Sequence, residues 1–154
     1  MTRKIIGVVV GYVVMFLIVF ICFTVLYLIL GTEGAFKPNS FEVSTIWIVL
    51  STIVSIVAAV LGGYVCTIIA KNKKPTMILA AIVFVLGIIL AIPSFGDYEE
   101  SIKKERSSEL SNMEAMQSAK PPPLVLILNP ILGALGTIAG SKLWKEKNKE
   151  DNQT

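Results

Sequence analysis

Residues 45–93 read TIWIVLSTIVSIVAAVLGGYVCTIIAKNKKPTMILAAIVFVLGIILAIP. Two apolar runs lie on either side of the basic cluster Lys71, Asn72, Lys73 and Lys74. A soluble core helix alternates apolar and polar faces, but these runs are apolar all round. Each is about as long as a bilayer is thick, which takes roughly 20 residues at 1.5 Å each. The stretch is therefore expected to cross a membrane twice, at about 45–70 and 75–92, with a tight turn at 71–74. Pro75 suits the first turn of the returning helix, where its missing N–H costs nothing, and Pro93 sets the expected end of that helix near Ile92.

Working outward, a run at about 5–30 follows Arg3 and Lys4. It exceeds the roughly 7 to 15 apolar residues of a cleavable signal, and no small-x-small site follows it at Gly31–Gly34, so it reads as a retained first span. The segment 31–44 carries glycines, Pro38 and the Asn39–Ser40 pair, and reads as a loop. After the polar stretch 94–121 and the triplet Pro121–Pro123, a fourth span runs over about 122–140, and 141–154 is a short lysine-rich tail. The expectation is an all-α integral membrane bundle of four transmembrane helices in a single membrane domain, without internal repeats.

Composition agrees. The chain of 154 residues is 54% hydrophobic and only 16% charged, against about a quarter charged in soluble domains. It contains no histidine, which removes the commonest proton shuttle and metal ligand. The net charge of +3 comes from bases clustered beside the spans, which points to membrane topology and away from nucleic acid. Arg3, Lys4, Lys71, Lys73, Lys74, Lys142, Lys145, Lys147 and Lys149 fall on one side; Lys37, Lys103, Lys104, Arg106 and Lys120 fall on the other. Short loops rich in Lys and Arg stay in the cytoplasm, so both termini and the 71–74 turn are expected inside, and the 31–44 and 94–121 loops outside.

Small residues recur along the spans. Ser51, Ser55, Ala59, Gly63 and Thr67 follow every fourth position in span two, Gly7 and Gly11 share that spacing in span one, and span four has Gly133, Gly136 and Gly140. Such faces let helices approach closely, either within the bundle, the reading favoured here, or between copies in a homo-oligomer. Asn129 and Pro130 lie near the middle of span four. The proline removes the bond to the Leu126 carbonyl and predicts a kink; the amide serves either a neighbouring helix or a polar cavity of the kind found in transporters.

Cys22 and Cys66 sit at depths differing by roughly 20 Å, too far to pair. Each reads as a small buried hydrophobe, with acylation of Cys66 near the membrane surface as the alternative. None of the spans holds Asp, Glu, Lys or Arg well inside its apolar run. Proton relays and ion pathways usually need such groups, and Glu42, just outside span two, does not supply one. A CxxC is absent too, as is any histidine base, so the expectation is no enzyme, no cofactor and no metal site. In the 94–121 loop, Glu99/Lys103 and Glu100/Lys104 have the i,i+4 spacing of a helix. An apolar stripe starting at Tyr98 and Ile102 and resuming at Leu110, Met113 and Met116 is broken by Glu105 and Arg106. A solvated helix or mobile loop is the favoured reading, and a partner-binding or membrane-lying helix the alternative. An outer site built from Asp97, Tyr98, Glu99, Glu100 and Lys103 is the weakest of the functional readings.

GVVVGYVVMF (7–16), AAVLGGYVCTIIAKNKKP (58–75) and NPILGALGTIAGSKL (129–143), in this order, resemble a broad set of small uncharacterised four-helix bacterial integral membrane proteins. The resemblance is one of pattern over most of the chain, from which the outer loop departs. It implies a bacterial cell membrane and four spans, and carries over no activity or site residues. The expected function is that of a non-catalytic accessory, scaffold or interaction component in the lipid bilayer, with a membrane protein partner or a homo-oligomer. A small-solute transporter or channel component enclosing a polar path only as an oligomer, lined by the Ser/Thr face of span two and Asn129, comes second.

Overall fold

The computed structural model describes residues 2–96, 98 and 110–144. The expectations for Asp97, for the Glu99/Lys103 and Glu100/Lys104 pairs and for the end of the tail lie outside them. Among the described residues the elements are α1 (Thr2–Ala35), α2 (Thr45–Ala70), α3 (Lys74–Gly96), α4 (Asn112–Ser118) and α5 (Pro123–Leu143). α1, α2, α3 and α5 are each long and apolar enough to cross a membrane. Between their ends the outward faces are apolar: Phe16, Leu28, Ile29 and Leu90 are 60–76% exposed, which suits lipid and not water.

Local chemistry sets the boundaries. Ser44 caps α2, its Oγ accepting from Trp47 N at 3.1 Å, and Lys71 ends that helix in the left-handed region (φ 50°). The Asn72 side chain then accepts from Lys74 N at 2.8 Å, so the turn closes within three residues. The first span ends where expected: the helical run of α1 is broken at Gly31, whose φ 63° and ψ −177° are not helical and lie in a backbone region essentially reserved for glycine. A separate short helical stretch carries the chain on to Ala35. One sequence-based boundary moves, that of the third helix. The third passes through Pro93 to Gly96. Pro93 stands three residues before the helix end, so the bond that it removes, to the Ile89 carbonyl, is lost where little helix remains to be disrupted.

α2 is the centre of the bundle, packed along α1 on one side and α5 on the other, while α3 closes against α5. The half next to the 71–73 turn, here the terminal end, is zipped by small residues. A Cβ on Gly7 would stand 2.8 Å from the Cys66 carbonyl oxygen, and one on Gly11 2.8 Å from that of Gly62. On the other side of α2, Gly63 lies against the Thr137 carbonyl and Gly140 against that of Val60. Hydroxyls here turn back to the backbone: Thr67 donates to Gly63 O at 2.8 Å and meets Thr76 Oγ1 at 2.6 Å, and Thr137 donates to Gly133 O at 2.8 Å. Among the described residues no buried side-chain donor or acceptor of this half is left without a partner, the condition for burying polar groups in an apolar medium.

Candidate functional site

The opposite, loop end is built from large side chains and a woven cap. Phe36 pairs with Val43 and Glu42 with Lys120 in isolated β-bridges. Lys37 N donates to Glu42 O at 2.8 Å, Lys120 N to Phe41 O at 3.0 Å and Val43 N to Lys120 O at 3.3 Å. The loop after α1 is thus stitched to the segment before α5. Tyr27 locks the cap to the bundle. Its hydroxyl donates to Leu110 O at 2.8 Å, and Leu110 N donates to Thr32 Oγ1 at 3.4 Å. Thr32, 3.0 Å from the Tyr27 oxygen, then donates to Tyr27 and closes a three-residue ring across the Gly31 bend. Outside it, Lys37 Nζ pairs with Glu42 Oε1 at 2.7 Å, and the Tyr98 hydroxyl also donates to Glu42. Burial first, and then the Glu42 carboxylate, push the Tyr98 phenol above its ordinary range.

α4 is the lid of this cap. Ser111 and Glu114 form a reciprocal capping box, Ser111 Oγ accepting from Glu114 N at 3.3 Å and Glu114 Oε2 accepting from Ser111 N at 2.9 Å. Ala115 is buried with Tyr27, Phe36 and Val43. The hydrogen bonds from the Ser111 hydroxyl and then its backbone N–H hold the Glu114 carboxyl below its ordinary value. A depressed folded-state pKa contributes stability that is complete above the ordinary glutamate range and lost as pH falls through the lowered value. A spin label at Met113→Cys is therefore expected to gain mobility on acidification below that range, and to be mobile at all pH values in Ser111→Ala.

Beneath the lid lies a cavity of about 390 Å³. Val19, Phe23 and Tyr27 of α1, Trp47 and Ile48 of α2 and Val125 of α5 supply its apolar walls. Trp47 stands edge-on to both Phe23 and Tyr27, with ring centroids 5.7 and 6.3 Å away. Its polar lining consists of Ser51, Ser94, Asn112 and Asn129, and no ionisable carboxylate, lysine or arginine is among the described lining residues. Ser51 donates to Ile48 O at 3.2 Å. Asn112 Nδ2 reaches Thr24 Oγ1 at 3.3 Å, while its Oδ1 is buried with no partner among the described residues.

The sequence-derived residues thus divide between the two halves. Gly7, Gly11, Ala59, Gly63, Gly136 and Gly140 lie at helix contacts of the terminal half; a Cβ on Gly136 would stand 2.9 Å from that of Ala59, and one on Gly133 meets only Val83 Cγ1 at 3.1 Å. Ser55 is half-buried. Ser51 and Asn129 are brought together at the cavity. Helix α5 runs on through Pro130, which is buried, its ring filling the space that Gly87 leaves on α3. Cys22 and Cys66 are both free. Among the described residues no group of His, Cys, Asp and Glu is placed to hold a metal. The aromatic wall was missed in the sequence. A helix in the 94–121 loop was among the expectations, with Met113 and Met116 on its stripe, and α4 is such a helix. The Ser111-x-x-Glu114 capping box was the further local signal, for its start, while the contact of Tyr27 with Leu110 spans 83 residues and left none.

Compared with protein family models, characterised proteins and solved structures, the chain matches none.

Proposed function

We propose that this chain is a non-catalytic multi-pass protein of the bacterial cell membrane, with both termini cytoplasmic and the loop end outside, acting as an accessory or interaction component. The observation that carries the reading is the ordered cap. Backbone bonds tie residues 36–43 to Lys120, and α4 holds Met113 outward, 60% exposed. A stitched surface with an adaptable methionine on it suits a protein partner.

The test is purification in native nanodiscs, with mass spectrometry of what co-purifies and the mass of the intact particle. A stoichiometric partner is the expected result; a partner-free homo-oligomer would overturn the accessory reading. The transport reading is favoured by Ser51 and Asn129 lining one cavity. Within one chain, however, the way onward meets the Ala59–Gly136 and Gly63–Thr137 contacts, so a path would have to run between copies.

For the orientation, single cysteines at Ser40 and Met113, in a background with Cys22 and Cys66 replaced by alanine, should react with an impermeant thiol reagent in intact cells. A cysteine at Asn148 should react only after lysis, and its labelling in intact cells would reverse the topology.

A further inference from the structure

We infer that the cavity beneath α4 binds one molecule of an uncharged single-chain amphiphile bearing a hydroxyl, drawn from the lipid leaflet at the loop end. This goes beyond the accessory role and does not depend on it.

Size comes first. An apolar cavity of roughly 150 Å³ accommodates benzene, so 390 Å³ suits a molecule of about 15 non-hydrogen atoms by the same proportion. That is one medium-length chain with a small head, and it excludes a two-chain phospholipid. Charge comes next. With no carboxylate, lysine or arginine among its described lining residues, the cavity offers nothing to compensate a buried charge, which would be costly.

The polar groups then choose among neutral molecules. Asn112 Oδ1 is buried without a hydrogen-bond partner among the described residues, a costly state for a polar atom. A hydroxyl both donates and accepts, and so satisfies this amide whichever way it is turned against Thr24. Ser94, Ser51 and Asn129 are the other polar side chains of the lining, and Phe23, Trp47 and Val125 supply apolar wall for a chain.

Access from the lipid follows from the walls. α1 and α2 line the cavity with several residues, but α3 contributes Ser94 alone. Among the described residues α3 thus supplies the least wall, and entry from the lipid is assigned to the side between α1 and α3.

The probe is a long-chain alcohol carrying a diazirine and an alkyne, added to the full-length protein in nanodiscs and irradiated, with labelled peptides identified by mass spectrometry. Labelling is expected within 19–27, 47–51 and 125–129, saturable, and competed by dodecanol about tenfold or more better than by ionised dodecanoate. Ser51→Phe, which puts a ring into the cavity from its wall, should abolish the saturable labelling. Should that variant not fold, Asn112→Leu, which keeps the volume and removes the amide, should cut the advantage of the alcohol over an alkane probe by about tenfold. Unsaturable labelling confined to outward residues such as Phe20 and Leu28, or equal competition by the carboxylate, would overturn the assignment. Competition by a short water-soluble diol as effective as that of dodecanol would overturn the lipid source.

Discussion

Gly63→Ala and Gly140→Ala are expected to destabilise the protein more than any other glycine-to-alanine change among the described residues. At both positions the added methyl meets a backbone carbonyl of the facing helix, Thr137 for Gly63 and Val60 for Gly140. A carbonyl cannot swing aside as a side chain does, so α2 and α5 must separate along their length. Separation also removes the fit of Gly136 on Ala59. Overpacking of this kind costs about 1–3 kcal/mol per site, and the loss here should lie at or beyond the upper end. Gly133→Ala is the control: its methyl would meet only the end of Val83, a side chain with room to turn, and the effect should be small. Thermal unfolding followed by size-exclusion chromatography, comparing the three variants in one detergent, checks the ranking. Equal losses at 63 and 133 would contradict the α2–α5 contact.

Tyr27→Ala should do comparable damage at the other end, and of a different kind. Tyr27 is 6% exposed, stacks edge-on with Trp47 and holds Leu110 and Thr32 through its hydroxyl. Truncating a buried aromatic costs about 3–5 kcal/mol, and here the loss falls on the lid. Amide exchange at Val43, Ala115, Ala119 and Lys120, all hydrogen-bonded in the cap, should accelerate strongly, while Cys66 and Thr137 in the zipped half stay protected. Tyr27→Phe separates the two contributions. It keeps the ring and removes the hydroxyl, and should loosen only Leu110 and its neighbours, by about 1 kcal/mol. Uniform acceleration along the whole chain in Tyr27→Ala would mean that the two halves are a single cooperative unit.

How far the sequence reaches is seen by comparing α2 with the cap. Span two was read as 45–70 and α2 is Thr45–Ala70, because a bilayer-length apolar run with a serine before it and lysines after it is a local and unambiguous pattern. Pro93 misled because a proline's effect depends on how near the helix end it falls. Gly31 was a readable stop, since a glycine-only conformation ends the first helical run at Leu30, but the short helical stretch that follows it to Ala35 left no signal. The fourfold repeat of small residues located the helix-facing sides, yet it could not rank Gly63 above Gly133, since the ranking depends on what the opposing helix presents. The cavity was least legible. Its lining comes from four spans and a lid far apart in the chain, and an aromatic residue in a membrane span looks the same whether it faces lipid or a hollow.

The central place of α2 also bears on how the protein is made. Its partner on one side, α1, is already in the membrane when α2 emerges, but the partner on the other, α5, ends at Leu143. At about 5–20 residues per second, several seconds of synthesis separate the two. During that interval Ala59 and Gly63 have no helix to meet, and the cavity lacks a wall. A nascent chain halted before Pro123 should therefore expose the hollow to lipid and be a substrate for membrane quality control, and the last span inserted is the one that completes the core.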